Sequence, residues 1–267
     1  MIIIENLSKS FGGVTVLQGV SLEVEKGHIL ALIGRSGYGK SVLLKHVAGL
    51  IRPDSGRIVV DGHDLCCLKG KTLQRLRNRL GFLFQSGALF DSMSIFDNVA
   101  FPLREKTKLG EKEIRDRVLY ELEQVDLSGA EDKFPSQISG GMVKRAALAR
   151  ELIAEPEIML FDEPTTGLDP LTGQTILNLI DSCHRRMHFT GIIVTHEVPK
   201  IFEIVEKVAM LDEGRILFQE SPEKILAIED PKIRSFITGG VQWTHEEMEC
   251  QLRFMERVRR KKDIHKL

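Results

Sequence analysis

Gly34-Arg35-Ser36-Gly37-Tyr38-Gly39-Lys40-Ser41 decides the fold. The stretch fits Gly-x-x-x-x-Gly-Lys-Ser/Thr and follows the apolar run Ile29-Leu30-Ala31-Leu32-Ile33, so a strand is expected to deliver a glycine-rich turn to a helix start. At such a junction several main-chain N–H groups converge and the helix dipole favours negative charge, which suits phosphate. Lys40 is then expected to set its ammonium between the β- and γ-phosphates of a nucleoside triphosphate, and Ser41 to offer its hydroxyl to Mg2+. The plain alternative is a glycine-rich turn without chemistry. The strand-loop-helix setting, together with an acidic strand end downstream, argues against it.

That acidic strand end is Ile158-Met159-Leu160-Phe161-Asp162-Glu163, with Pro164 after it. Four apolar residues leading into two acids and a proline describe a strand that stops at a site. Asp162 is suited to holding Mg2+ directly or through water, and Glu163 to polarising the water that attacks the γ-phosphorus. Between these motifs lies Ile138-Ser139-Gly140-Gly141-Met142, followed by a helical stretch from Met142 to Leu152 with Ser139 at its N-cap. This is a second anion-binding helix terminus, too far along the chain to belong to the first loop.

With these three segments in this order, the chain resembles the ATP-binding cassette (ABC) ATPases, whose usual signature Leu-Ser-Gly-Gly-Gln completes the ATP site of the opposing subunit. The resemblance covers about residues 1 to 235. It implies an α/β fold of the P-loop NTPase class, with a parallel core sheet, an N-terminal antiparallel β-subdomain and a helical subdomain. It also implies ATP and Mg2+ as cofactors, and roles for further residues. His196, closing Gly191-Ile192-Ile193-Val194-Thr195-His196, matches the switch histidine that contacts the γ-phosphate. Gln85, after Gly81-Phe82-Leu83-Phe84, matches the Q-loop glutamine, a ligand of Mg2+ and water. Asp169, in Gly167-Leu168-Asp169, matches the D-loop between the two ATP sites. Phe11 stands where these ATPases stack an aromatic ring on adenine, and either phenylalanine or tyrosine has the π-face for it. The chain departs from the usual pattern at Tyr38, Val42 and Met142. None of these removes a phosphate or metal contact.

Composition sets outer bounds. The 267 residues suffice for one large domain with an appendage, at 42% hydrophobic and 28% charged residues. A net charge of −1 gives no global attraction for nucleic acid, so DNA and RNA are not expected partners. There is no 18-residue apolar stretch and no charged-then-apolar leader, so a cytosolic chain that neither crosses a membrane nor is secreted is expected. Cys66 and Cys67 are adjacent while Cys183 and Cys250 are isolated, which fits neither a zinc pattern nor a disulfide framework.

Along the chain, Ile2-Ile3-Ile4, Val20 to Val24 and Arg57 to Asp61 read as strands of an antiparallel sheet, with turns at Phe11-Gly12-Gly13 and Arg52-Pro53-Asp54-Ser55-Gly56. Charged helical segments dominate from about Lys71 to Gln137, and a helical subdomain is expected over about 86–150 of an ATP-binding domain spanning 1–240. Ile158 to Phe161 and Ile192 to Thr195, separated by the helical Gly173 to Arg186, give a β-α-β rhythm. Val208 to Leu211 and Arg215 to Phe218 flank Asp212-Glu213-Gly214 as a hairpin. In the remainder, 241–267, Met248, Leu252, Met255 and Val258 recur at helical spacing before Arg257, Arg259, Arg260, Lys261 and Lys262. An amphipathic basic helix that docks on a neighbour or on anionic lipid is one reading of it, and a solvated terminal helix the other.

A narrower resemblance rests on Phe84-Gln85-Ser86-Gly87-Ala88-Leu89-Phe90-Asp91-Ser92-Met93, on Asn98-Val99-Ala100-Phe101-Pro102-Leu103-Arg104, and on Ser-Gly-Gly-Met. These segments look like the ATPase of Mla-type lipid transporters that work with MCE-domain proteins. The resemblance implies an ATP-closed homodimer at the cytoplasmic face of the inner membrane, bound to an integral permease. An MCE-domain protein and, in some such systems, a small STAS-domain subunit complete the set of partners. Two alternatives stay open: an ABC importer for other cargo, and a soluble ABC ATPase of DNA repair or translation. The short helical insert lacks the long coiled coil of the repair proteins, and a lone cassette lacks the tandem arrangement common in translation.

Overall fold

The computed structural model describes residues 1–238 apart from 199 and 229, so the extension expected over 241–267 lies outside the described residues. The strands are β1 (Ile2–Phe11), β2 (Val14–Val24), β3 (Ile29–Ile33), β4 (Ser55–Val60), β5 (His63–Asp64), β6 (Leu80–Leu83), β7 (Ile158–Asp162), β8 (Thr190–Val194), β9 (Lys207–Asp212) and β10 (Arg215–Glu220). The helices are α1 (Lys40–Val47), α2 (Gly70–Arg77), α3 (Ile95–Lys106), α4 (Glu111–Gln124), α5 (Gly140–Leu152), α6 (Pro170–Met187), α7 (Pro222–Leu226) and α8 (Pro231–Ile237).

The apolar runs pair as a six-stranded sheet in the order β10-β9-β3-β8-β7-β6, parallel except for the β10–β9 hairpin. Strands β3, β7 and β8 are buried along their whole length, as expected where both faces of a parallel sheet are covered. Their period-2 alternation sorts side chains into two cores. Ile29, Ala31, Ile33, Met159 and Phe161 face α6, where Ile176, Leu177 and Ile180 meet them. Leu30, Leu32, Leu160 and Ile192 face the opposite way, onto Leu43, Leu44 and Val47 of α1 and onto the second sheet.

That second sheet, β2-β1-β4-β5, is antiparallel and contributes Ile2, Ile4, Leu7, Leu17, Val20 and Leu22 to the shared core. A third apolar cluster joins α3, α4 and α5 through Val99, Leu103, Val118, Leu122, Ala146 and Ala149.

One expectation needs correction. The stretch from Lys71 to Gln137 is not helical throughout, because Leu80–Leu83 is the edge strand β6 of the parallel sheet. Four residues are too few for their period to be read, yet they satisfy both cores: Leu83 packs in the first and Phe82 in the second. The expected hairpin forms with Glu213 and Gly214 both at positive φ, 45° and 77°, the geometry that matches the twist of paired strands.

Candidate active site

Parallel pairing in register brings the expected residues to one edge. Leu83 pairs with Phe161, Asp162 with Val194, and Leu32 with Val194. Gln85, Glu163, His196 and Gly34 therefore all follow the carboxyl ends of neighbouring strands, the side of an open α/β sheet where ligands bind.

From Gly34 the chain turns into α1 with Gly39 as N-cap at φ 93°, a left-handed conformation that glycine adopts without strain. The loop residues Arg35, Ser36 and Gly37 are exposed, while Tyr38, Ser41 and Val42 are half-buried. Lys40 is 4% exposed and donates to the carbonyls of Gly34 at 2.7 Å and Arg35 at 2.8 Å. Burial lowers its pKa, and the carboxylates of Glu163 and Asp162 oppose that effect. Its ammonium is thus lodged inside the loop it is expected to serve, with two acids nearby.

Ser41 Oγ donates to Asp162 Oδ1 at 2.7 Å, which sets a hydroxyl and a carboxylate oxygen side by side. These are the hard oxygen donors that Mg2+ takes alongside phosphate oxygens, so the pair fits the metal. Among the described residues no group of three or more His, Cys, Asp or Glu could hold a metal ion.

Asp162 is 7% exposed, and burial raises its pKa more than the Ser41 hydrogen bond lowers it. A carboxyl whose folded pKa exceeds its unfolded value destabilises the fold as pH rises from the ordinary aspartate range through the folded pKa; above that the penalty is complete. At neutral pH Asp162→Asn is therefore expected to raise the melting temperature of the nucleotide-free protein while abolishing Mg2+-dependent hydrolysis. Thermal denaturation alongside an ATPase assay checks both, and a lower melting temperature would refute the electrostatic argument.

Glu163 sits at φ 49°, and its N–H donates to Val194 O at 2.9 Å. That left-handed turn breaks the alternation that would send neighbouring strand side chains to opposite faces. Glu163 Oε2 accepts from Thr166 Oγ1 at 2.7 Å and lies 3.5 Å from His196 Nδ1. Phe11 lies at the tip of the β1–β2 hairpin, 45% exposed, with the Lys9 ammonium 5.3 Å from its ring centroid. The returning strand reaches the loop, since a Cβ on Gly39 would lie 2.9 Å from Val16 Cγ1.

The remaining expected residues form a second group. Ser139 Oγ caps α5 by accepting from Met142 N at 3.3 Å, and Asp169 Oδ1 caps α6 by accepting from Leu171 N at 3.1 Å and Thr172 N at 3.0 Å. Hydrogen bonding from the Thr172 side chain, followed by that from the Thr172 and Leu171 N–H groups, lowers the Asp169 pKa. The two caps are neighbours, for a Cβ on Gly141 would lie 2.6 Å from Thr172 Cγ2, so a larger residue there would have to displace the Thr172 side chain. Ser139, Gly140 and Asp169 are all exposed, so two helix N-termini face outward together.

Sequence reasoning missed Thr166, which holds the Glu163 carboxylate, and Lys144 and Arg150, which reach the Gln85 loop from α5. No signal marks the last two in the sequence, where charges beside Ala146-Ala147-Leu148-Ala149 read as the solvated side of a helix.

Residues 17–166 match the family described as ABC transporter. The chain is 41% identical over 239 residues to the intermembrane phospholipid transport system ATP-binding protein MlaF of Haemophilus influenzae, covering 90% of each. It is 43% identical over 236 residues to the "Probable ribonucleotide transport ATP-binding protein mkl" of Mycobacterium leprae, covering 88% of this chain and 68% of that one. Among solved structures, a dimeric ATP-binding cassette in a post-hydrolysis state bound to ADP and Pi superposes with a TM-score of 0.76 at 30% identity, covering 83% of this chain and 99% of the other.

Proposed function

The chain belongs to the ABC transporter family as an ATP-hydrolysing subunit, and from that premise we propose that it powers phospholipid movement between envelope membranes. The observation that carries the lipid reading is the 41% identity, over nine-tenths of both chains, to an ATPase named for that transport. The chain would work as a homodimer, a reading supported by the dimeric cassette it resembles. No described helix is long and apolar enough to cross a membrane. Attachment would therefore run through an integral permease at the cytoplasmic face of the inner membrane, with an MCE-domain protein and a STAS-domain subunit as further partners.

In each site one copy would supply the loop from Gly34 to Val42, Phe11, Gln85, Asp162, Glu163 and His196, and the other Ser139-Gly140-Gly141 and Asp169. Phosphate oxygens entering the loop take the Lys40 ammonium from the carbonyls of Gly34 and Arg35. Glu163, held through one carboxylate oxygen by Thr166, keeps the other to accept the proton of water as that water attacks the γ-phosphorus. The bond to the β–γ bridging oxygen breaks, and His196 would donate to the departing phosphoryl group. Mg2+, on Ser41, Asp162 and Gln85, would neutralise charge on the phosphates. ATP binding closes the dimer and hydrolysis reopens it.

The name of the mycobacterial relative favours a second reading, nucleotide cargo. Affinity purification of the full chain from membranes, followed by reconstitution with labelled phospholipid or labelled ribonucleotide, separates the two. The proposal expects an MCE-domain protein and a permease in the purified complex, and ATP-dependent movement of lipid only. Ribonucleotide movement would replace it. Deleting residues 241–267 is expected to leave ATP binding intact, since every phosphate motif precedes them, and to weaken the recovered complex severalfold. Unchanged recovery would favour the solvated helix.

A further inference from the structure

Helix α5 leaves the Ser139-Gly140-Gly141 turn carrying two cations into the interior. Lys144 is 6% and Arg150 7% exposed. Burying a charge is costly unless it is paired or hydrogen-bonded, and both side chains find partners on one strip of main chain. Lys144 Nζ donates to the carbonyl of Gln85. Arg150 donates to the carbonyls of Ala88 at 2.6 Å and Gly87 at 3.1 Å. The loop lies against the helix, for a Cβ on Gly87 would be 3.2 Å from Val143 Cγ1 and 3.4 Å from Ala147 Cβ. From α3 the fully buried Asn98 holds the other end: its Oδ1 accepts from Phe90 N at 2.7 Å, and its Nδ2 donates to Met93 O at 3.2 Å.

The two cations differ in what surrounds them. Arg150 is also paired with Glu151 at 3.1 Å, and Glu151 in turn accepts from Phe82 N, so this group binds α5 to β6. Lys144 instead feels the charges of Glu163 and Asp162, which oppose the lowering of its pKa by burial. It bonds the Gln85 main chain while the acids at the end of β7 act on its charge.

We infer that Lys144 is a positioning residue for Gln85: by holding that residue's own carbonyl, it fixes where the Gln85 amide points relative to Asp162 and Glu163. The inference rests on the reading of Gln85 as a ligand of metal and water. It also gives α5 two duties. The N-terminus of the helix addresses the partner's nucleotide, and one turn later Lys144 holds the loop that serves its own. A shift of α5 when one site closes would carry the Gln85 carbonyl with it, so the two sites of a dimer are joined within each protomer between Ser139 and Lys144.

The test is a double-mutant cycle in the full complex, with steady-state ATPase measured against ATP and against Mg2+. Lys144→Met is expected to lower kcat roughly tenfold or more through misaimed Gln85, to leave the KM for ATP within about twofold, and to raise the Mg2+ needed for half-maximal rate. Lys144→Arg should recover most of the rate. Lys144→Met with Gln85→Ala should be no slower than Gln85→Ala alone. Should the methionine variant lose cooperative melting, Lys144→Gln, which keeps a donor in the same place, carries the cycle. Losses that multiply in the double variant would overturn the inference, as would a slow Gln85→Ala beside an unaffected Lys144→Met. Wild-type turnover in Gln85→Ala would instead remove the catalytic reading of Gln85, and the inference with it.

Discussion

Glu163→Gln is expected to bind ATP as tightly as the wild type and to accumulate as a closed dimer, while hydrolysis falls by about 10²- to 10⁴-fold. The amide has nearly the size and shape of the carboxylate and can still accept from Thr166 Oγ1, so the turn after β7 and the hydrogen bond between Ser41 and Asp162 remain. It cannot take a proton from water. Binding and closure precede that proton transfer, so the lesion should appear in single-turnover hydrolysis and not in equilibrium nucleotide binding. Lys40→Ala acts earlier, because the ammonium lodged in the loop contributes to binding itself, and should weaken ATP affinity. Wild-type turnover in Glu163→Gln would take the role of base away from Glu163.

The phosphate-binding half of the site is legible in the sequence because its chemistry is carried by contiguous main chain. A loop that cradles phosphate needs glycines at fixed spacing after a strand, and Gly34 to Ser41 shows them; the fully buried strands β7 and β8 likewise announce themselves as apolar runs that end in polar residues. What joins these pieces is not legible. The order β10-β9-β3-β8-β7-β6 depends on pairings between strands separated by whole helices, Leu80 with Ile158, Ile158 with Thr190 and Ile29 with Gly191, and only that register sets Gln85, Glu163 and His196 at one edge.

Short elements hide for another reason. Leu80–Leu83 has too few residues to show a period, and charged helices on both sides mask it. The positive φ of Glu163 leaves no mark either, since a glutamate there looks like any acid at a strand end. Lys144 and Arg150 would pass for solvated helix charges unless α5 is known to be buried on almost every side. Gly140 and Gly141, by contrast, were readable as a helix start but not as the seat against Leu168 and Thr172, which is a tertiary contact.

We propose that each ATP site is shared, with Lys40 of one copy working beside Ser139 of the other. Two exposed helix N-termini, capped by Ser139 and Asp169, stand together without a phosphate loop of their own, whereas Lys40 bonds within the phosphate loop, Ser41 bonds to Asp162, and His196 lies 3.5 Å from Glu163. Lys40→Ala and Ser139→Arg chains, each alone, are therefore expected to be nearly inactive. In a mixed dimer both lesions fall on one composite site, which leaves the other with an intact Lys40 and an intact Ser139. Random pairing of equal amounts makes half the dimers mixed, so about a quarter of the wild-type sites are restored, an upper guide if the two sites cooperate. The measurement is ATPase activity after co-expression in the full complex, with mixed dimers isolated through two affinity tags. Activity that returns only in the mixed dimers is the predicted result, and robust hydrolysis by either variant as a homodimer would contradict the shared site.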